Sequence, residues 1–255
     1  MKSFISQNLF GVIAVDNWCV TDFYRHGVLS NGIAFDGNGG LLLGDWSRIL
    51  RLDAGGRYTS TVEHAGYDNI HTINLFKGDI LVASTGNDRV FLGGECIFIP
   101  KEHGWKDFTY VNSAYPYHDD IILISLRHKH AVVFYDTGKR KVEKVLVLPF
   151  LHNQHHPVPY MDDLFLVSDG NGIVVFNAEG RFIQKSPPLN WPRGIKVLGR
   201  TKVIVVDRRC IYEYNPVVNR FTRRVETPVP PPTEMKIGGE VVTGGALFDL
   251  VVADE

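Results

Sequence analysis

Five polar residues whose side chains can hold an anion or move a proton recur in this sequence at nearly constant intervals. They are Asn31, His71, Asn112, His155 and Arg193, separated by 40, 41, 43 and 38 residues. A neutral imidazole can act as a nucleophile or a general base, and arginine and amide groups can hold the oxygens of an anion. Such chemistry requires a fold that brings the five positions to one cavity.

The segments that follow these positions repeat one pattern, in which an apolar strand, a polar turn and a second strand come in that order. They are LLLGDWSRILRLD, ILVASTGNDRVF, IILISLRHKHAVVFYD, LFLVSDGNGIVVFN and VIVVDRRCIYEYN. The resulting units cover residues 31 to 63, about 69 to 107, 108 to 148, 152 to 185 and 191 to 226. A period of about 40 to 45 residues with four short strands per unit is typical of β-propeller blades. The sequence therefore predicts an all-β propeller in which residues 1 to 255 form a single domain.

The two ends of the chain carry further strand-like segments outside the five units. The tail contains MKIGG, EVVTGG and ALFDLVVADE, and the N-terminus contains FGVIAV and WCVTDFYRH. A ring of sheets must close or leave two edges exposed, and a blade built from both termini removes those edges. We therefore predict six four-stranded blades, the last closed by N- and C-terminal strands. Five blades with extra terminal strands is the alternative.

Polar residues also occupy the predicted turn between the second and third strands of each unit. In a propeller this turn lies on the same face as the loop that enters the innermost strand, so both border one funnel. The turns carry Asp45, Arg127, Asp169 and Asp207 among others. Recurrence at equivalent positions favours a lined pocket. For the three aspartates a second interpretation stays open, because Asp in tight turns commonly bonds the local backbone.

Two segments of the third and fourth units resemble bacterial arylsulfotransferases. YVNSAYPYHDDIILISLRHKHAVVFYD is similar to a stretch of that family in which a His-x-Asn-Ser segment leads into a strand ending Ser-x-Arg. FLHNQHHPVPYMDDLFLVSDGNG is similar to the family's Gln-His segment and the turn after its next strand. The resemblance covers about residues 69 to 177. It implies a six-bladed propeller that moves a sulfuryl group between phenols through a sulfated histidine.

Carried over by position, this resemblance gives roles to individual residues. His155 would be the nucleophile, Arg127 would bind the sulfate, and His71 would stand for the first-blade histidine of the family. Tyr110 stands where the family has a second histidine and could donate a hydrogen bond to the substrate. The predicted catalytic residues are thus His155, Arg127 and His71. Together with the register-equivalent positions, the predicted substrate-binding residues are Tyr110, Asn112, Gln154, Asp169, Arg193, Asn31, Asp45 and Asp207.

Two other functions stay open from the residues alone. His152, His155 and His156, with His71, could hold a divalent ion, as in a metal-dependent hydrolase or lyase. Neighbouring His155 and His156 would point to opposite faces of one strand, however, so we predict no metal and no other cofactor. The second alternative is a non-catalytic propeller that serves as a ligand-binding or protein-interaction scaffold. An enzyme needs His155 and Arg127 beside one vacant point, whereas a scaffold would have its channel filled by apolar or mutually paired side chains.

Charge and composition narrow the class of partner. The net charge is −1 and the 27 basic residues are scattered, so we expect no nucleic acid partner. No apolar run reaches the roughly 18 residues that a membrane span needs, so we expect no membrane partner. Three cysteines, an odd number, and an N-terminus without a signal-peptide pattern predict a cytoplasmic protein. The expected partners are a small anionic or aromatic molecule and, in the scaffold alternative, another protein.

Overall fold

Nearly all regular structure in this protein is β-strand. The computed structural model describes residues 2–7, 11–17, 19–25, 30–227, 234–237, 240–243 and 247–252. Among these residues the only helical segments are two short 3-10 turns, Pro100–His103 and Arg127–Lys129. None of the described helical segments has the length and apolarity that a membrane span needs.

Three strands precede the first repeat unit: β1 (Lys2–Gln7), β2 (Gly11–Asp16) and β3 (Cys19–Arg25). Blade 1 consists of β4 (Ser30–Phe35), β5 (Leu41–Asp45), β6 (Arg48–Leu52) and β7 (Tyr58–Glu63). Blade 2 consists of β8 (Ile70–Phe76), β9 (Asp79–Ser84), β10 (Arg89–Leu92) and β11 (Glu95–Phe98). Blade 3 consists of β12 (Val111–His118), β13 (Ile121–Leu126), β14 (Ala131–Asp136) and β15 (Lys141–Val147).

Blade 4 consists of β16 (Gln154–Met161), β17 (Leu164–Asp169), β18 (Gly172–Asn177) and β19 (Phe182–Lys185). Blade 5 consists of β20 (Ile195–Gly199), β21 (Lys202–Val206), β22 (Cys210–Asn215) and β23 (Arg220–Glu226). The tail adds β24 (Glu234–Ile237), β25 (Glu240–Thr243) and β26 (Leu247–Val252). In every blade four consecutive strands pair antiparallel in chain order. The predicted all-β propeller is confirmed, with five consecutive four-stranded blades, the number given above as the alternative to six.

The middle strands of each blade are apolar on both faces because both faces pack against neighbouring blades. Along β13, Ile122 and Ile124 pack towards blade 2, whereas Leu123 packs towards blade 4. Successive side chains of a strand point to opposite sides, so an unbroken apolar run fits a sheet that is covered on both faces. The core is therefore a series of apolar layers between blades, and the innermost strands are left to line the centre.

A further four-stranded sheet joins the two ends of the chain in the order β26-β1-β2-β3. Its strand β26 contacts β4 of blade 1 and also β20 and β21 of blade 5. The prediction of a sheet shared by both termini therefore holds, but the division of strands differs. The tail supplies only β26, and the N-terminus supplies three strands. The other two tail strands, β24 and β25, pair with each other in a separate two-stranded sheet.

A β-bulge lies near the start of the innermost strand in four blades. In blade 2 the register passes from Ile70 opposite Ser84 to Thr72 opposite Ala83, so His71 is the extra residue. In blade 3 Asn112 is the extra residue in the same way. Blades 1 and 4 have their shifts between residues 30 and 33 and between residues 155 and 158. A bulge interrupts the alternation of side chains and can redirect one of them.

Candidate functional site

The five register-equivalent residues are all buried; four are the second residue of their innermost strand, and Arg193 lies two residues before β20. The exposed fraction of Asn31, His71, Asn112, His155 and Arg193 lies between 1% and 8%. Polar side chains this deep must find hydrogen-bond partners, because burying an unpaired polar group is costly. The identity of those partners decides whether the centre of the ring is a binding site or part of the framework.

Four of the five residues form one hydrogen-bonded chain across blades 2 to 5. His71 Nδ1 donates to Asn112 Oδ1 over 2.6 Å. Asn112 Nδ2 donates to the carbonyl oxygen of Gln154 over 2.7 Å and lies 2.5 Å from His155 Nδ1. Arg193 Nη1 lies 2.8 Å from the same His155 nitrogen and also contacts Nε2 of that ring. The structure thus brings His71, Asn112, His155 and Arg193 together, and they contact one another.

The ring nitrogens of His155 are already occupied by donors. The Asn112 amide is oriented by its bond to the Gln154 carbonyl oxygen, so its nitrogen faces His155 Nδ1. A neutral imidazole has a single nitrogen lone pair, on either Nδ1 or Nε2. Whichever nitrogen carries it, Asn112 or Arg193 is within contact distance. An attack on a sulfuryl centre would first require breaking this chain.

Burial sets the protonation of the two histidines. Desolvation lowers the pKa of His71 to about 3, although its hydrogen bond with Asn112 opposes that shift. Desolvation, followed by the positive charge of Arg193, holds the pKa of His155 well below its ordinary value. Desolvation and repulsion from Arg127 also lower the pKa of Arg193, to about 9. Both imidazoles are therefore neutral near pH 7, while the arginine keeps its charge.

Arg127 and Tyr110 lie beside this chain as a stacked pair. The guanidinium carbon of Arg127 is 4.9 Å from the centre of the Tyr110 ring, a cation–π contact. The Tyr110 ring in turn meets the His71 ring edge to face at 5.7 Å. Arg127 has no ion pair or side-chain hydrogen bond within the described ranges. It is thus a partly exposed cation at the edge of the central cluster.

The predicted turn aspartates divide into two kinds. Asp207 accepts hydrogen bonds from the backbone N–H groups of Asn190, Arg209 and Cys210 and from the Tyr212 hydroxyl. Asp169 accepts from the backbone N–H groups of His152 and Asn153 and contacts Lys185. Both carboxylates hold the loop that enters their own blade. Of the two interpretations, the local backbone role is the one their contacts match.

Asp45 lies elsewhere. Its carboxylate pairs with Arg48 at 2.8 Å. Both residues line a cavity of about 610 Å³ between the β5–β6 turn and residues 63–67, with Trp46 and Tyr67 in its wall. None of the residues of the central hydrogen-bonded chain lines this cavity. The structure therefore separates Asp45 from the other predicted site residues.

Gln154 and Asn31 complete the predicted set. Gln154 Nε2 donates to the carbonyl oxygen of Leu126 over 2.9 Å and so ties blade 4 to blade 3. The side-chain oxygens of Gln154 and Asn31 are buried without a hydrogen-bond partner in the described part of the chain. Gln154 is therefore a link between blades, and Asn31 stands apart from the chain formed by the other four register-equivalent residues.

The histidines are not arranged as a metal site among the described residues, where no group of three or more His, Cys, Asp or Glu side chains could share an ion. His71 and His155 are joined through the Asn112 amide instead. His155 and His156 are both buried, and His156 has a left-handed φ of 46° beside the bulge of β16. The expected strict alternation of these two side chains is therefore interrupted.

Two aromatic residues lie near the centre, and the sequence analysis identifies Tyr110 but misses Trp191. Trp191 stacks under Arg193 at 4.4 Å and also lies 5.3 Å from the guanidinium carbon of Arg208. Trp191 and Tyr110 stand two residues before Arg193 and Asn112, and both have left-handed backbones, with φ of 61° and 58°. Asn69, two residues before His71, is left-handed too. The shared offset from the repeat was the signal that could have found Trp191.

Comparison with known proteins gives the fold and no family. No family model matches this sequence, and the search of curated proteins finds no relative. The WD40 β-propeller domain of Doa1 is 14% identical with a TM-score of 0.66, covering 96% of this chain and 86% of that one. A chain of the nidogen/laminin complex is 12% identical with a TM-score of 0.73, covering 98% and 97%. The computationally designed Ika8 protein is 11% identical with a TM-score of 0.53, covering 95% and 78%.

Proposed function

We propose that this protein is a non-catalytic β-propeller that acts as a protein-interaction scaffold. The observation that carries the proposal is the hydrogen-bonded chain from His71 through Asn112 and His155 to Arg193. These side chains bond one another at the centre of the ring, and neutral buried imidazoles linked in this way tie blades together. A propeller whose central polar groups are used internally offers its faces for function.

Two of the similar solved structures bear on this proposal. One is a WD40 domain and another is a chain of a complex between two proteins. At 14% and 12% identity they share the fold with this chain, and their partners are not transferred to it. They support the proposal only in that the same architecture can present faces to other proteins.

We also propose that the sheet β26-β1-β2-β3 serves as a sixth blade. Its support is the position of β26, which contacts β4 on one side and β20 and β21 on the other. Ala14 of β2 packs into the apolar layer of Ile33, Leu41 and Leu43 in blade 1, as a neighbouring blade would. A ring closed in this way has no exposed sheet edge between blades 5 and 1.

Sulfuryl transfer in the manner of arylsulfotransferases is the second candidate. One observation favours it: the pKa of His155 is held low, so the ring is neutral as a nucleophile must be. The Asn112 and Arg193 contacts on its nitrogens argue against it. The two candidates differ in what replacement of His155 would change.

A direct test combines an activity assay with reconstitution of a complex. The purified protein and its His155→Gln variant would be incubated with an aryl sulfate donor and a phenolic acceptor. We expect neither to release product above the protein-free blank. Partners identified by proximity labelling in cells would then be purified and titrated against the chain by calorimetry, and we expect a stoichiometric complex. Sulfuryl transfer that the His155→Gln variant loses would refute the scaffold proposal.

We propose a cytoplasmic location as well. Cys19, Cys96 and Cys210 are free thiols, and free thiols persist in reducing compartments. Cell fractionation with thiol labelling would test this, and recovery of the protein from the medium with blocked or bridged cysteines would contradict it.

A further inference from the structure

One face of the propeller combines exposed aromatic rings with arginines. It carries the loops that enter β12 and β20 and the turns after β13 and β21, which are held together by bonds from the backbone N–H of His128 to Thr109 and of Arg208 to Asn190. We call this surface the entry face and define it by Phe108, Tyr110, Arg127, Trp191 and Arg208. Phe108 and Trp191 are 46% and 36% exposed.

The arginines of the entry face are oriented by the rings beneath them. Arg127 stacks on Tyr110, and Arg208 lies 5.3 Å from the centre of the Trp191 ring. Stacking leaves the N–H edge of a guanidinium free to form two parallel hydrogen bonds with a carboxylate. It also fixes the side chain beforehand, so less conformational entropy is lost when a partner binds.

Positive charge on the entry face is not neutralised by its own carboxylates in the described structure. Arg127 and Arg208 form no ion pair there, and both lie close enough to Arg193 to lower its pKa. The nearby Asp88 accepts from the backbone N–H groups of Thr109 and Val111 at 2.8 and 2.7 Å. Asp207 is likewise bonded to three backbone N–H groups. The two carboxylates thus bond backbone N–H groups of the loops, whereas Arg208 is exposed and Arg127 is partly exposed.

The two stacking aromatics also have unfavourable backbones. Tyr110 and Trp191 have φ of 58° and 61°, in the left-handed region that large side chains seldom adopt. Such conformations are unfavourable for large side chains and cluster at functional sites. Glycine or asparagine would fit this backbone better, as Asn69 does at the equivalent position of blade 2. An aromatic ring at both positions therefore points to a use for the ring.

We propose that the entry face binds an acidic segment of a partner protein, with Arg127 and Arg208 holding carboxylates while Phe108 and Trp191 contact apolar side chains between them. This inference rests on the scaffold function proposed above. Aromatic residues and arginine are the side chains most enriched in the energetic centres of protein interfaces. The complementary charge supplies orientation and association rate.

A nucleic acid fits this surface less well. Binding along a phosphate backbone needs a track of cations matched to successive phosphates. Here the two arginines lie on blades 3 and 5, both near Arg193, on a chain of net charge −1 whose other basic residues are scattered. A short acidic segment with few carboxylates matches this pair better than a long polyanion does.

The test uses probes and variants that differ in one property at a time. The first probe is a short dye-labelled peptide rich in glutamate with interspersed leucine and tryptophan, and the second has glutamine in place of glutamate. A single-stranded oligothymidine of similar length is the third. The protein variants are the double charge reversal Arg127→Glu and Arg208→Glu, and the control Arg220→Glu, an exposed arginine on the outermost strand of blade 5. Thermal unfolding would show that both variants stay folded.

We expect the acidic peptide to bind the natural chain and the Arg220→Glu control equally. The double reversal should weaken that binding by about tenfold or more, because like charges then face each other. Raising the ionic strength should weaken the binding to the natural chain as well. Loss of binding in the double reversal alone would support the proposal.

Several results would overturn it. They are equal binding of the glutamine peptide, equal loss in the Arg220→Glu control, absence of binding by the acidic peptide, and tighter binding of the oligothymidine. A reconstituted protein partner whose affinity is unchanged by the double reversal would also overturn it and leave the scaffold function standing. Sulfuryl transfer dependent on His155 would instead remove the scaffold function on which the inference rests.

Discussion

Replacement of Asn112 by alanine would distinguish two roles of the hydrogen-bonded chain at the ring centre, a structural framework and a ligand-binding site. Asn112 is 1% exposed, and its amide bonds His71, the Gln154 carbonyl oxygen and His155. Removing it deletes three hydrogen-bonding contacts between buried polar groups of three blades. If the centre is framework, the variant must lose stability; if it is a site awaiting a ligand, the stability loss should be small.

The size of the loss follows from the number of bonds. A buried hydrogen bond contributes a net of about 1 kcal/mol, so three of them give about 3 kcal/mol. Unfolding entropy of about 2.1 cal/mol/K per residue makes that a fall of about 6 °C in the melting temperature for a chain of this length. The matched control is Asn74→Ala on β8, the innermost strand of blade 2, which loses a single bond, to the carbonyl oxygen of Ala114, at 2.8 Å. We expect about 1 kcal/mol there.

Urea unfolding followed by tryptophan fluorescence would give both free energies, and calorimetry would give both melting temperatures. Equal denaturant dependence in the natural chain and the two variants would show that the folded states are comparably compact. If Asn112→Ala costs no more than Asn74→Ala, the central chain does not tie the blades together. The argument for a self-bonded centre would then fail.

Three further predictions concern stability. The folded-state pKa of His71 is about 3, against an ordinary 6.5. The stability that the neutral ring contributes is therefore fully present above about pH 6.5 and is lost as the pH falls towards 3. Between pH 7 and pH 5 this histidine should lower the free energy of unfolding in urea by about 2 kcal/mol. If the natural chain loses no more stability over this range than the His71→Gln variant does, the prediction is wrong. Asp207→Ala removes the acceptor of three backbone N–H groups and should cost about 2–4 kcal/mol. The exposed-pair control Asp45→Ala should cost under about 1 kcal/mol, and similar losses in the two would be the refuting result. Gly32→Ala places a Cβ 2.9 Å from the Ile73 nitrogen and should cost about 1–3 kcal/mol, whereas Gly199→Ala, with open space around it, should be nearly neutral in the same thermal scans.

The repeat could be predicted from the sequence because each blade satisfies its own local pattern. Apolar runs such as IILISL and LFLVSD are covered on both faces, and short polar turns separate them. Once four strands per unit are assigned, the start of each innermost strand faces the centre. Spacing alone therefore puts Asn31, His71, Asn112, His155 and Arg193 at equivalent points of the blades, and the last four of them are in contact.

The relation among these side chains could not be predicted from spacing. The bulges at His71 and Asn112 add one residue to a strand without a sequence signal of their own, and they change where the side chain points. Whether Asn112 bonds a neighbouring histidine or a ligand depends on distances across three blades. The pairing of β24 with β25, rather than with the shared sheet, is also a choice between non-local partners.

The shared terminal sheet has a consequence for how the chain reaches its folded state. Strand β1 pairs with β26, which follows it by more than 200 residues in the sequence. During synthesis the N-terminal strands therefore have an unpaired edge until the last strand emerges, and closing so long a loop slows the final step. An exposed edge is open to pairing with other chains. The sheet should therefore be protected by chaperones until β26 pairs with β1, and this pairing should be a late step in folding.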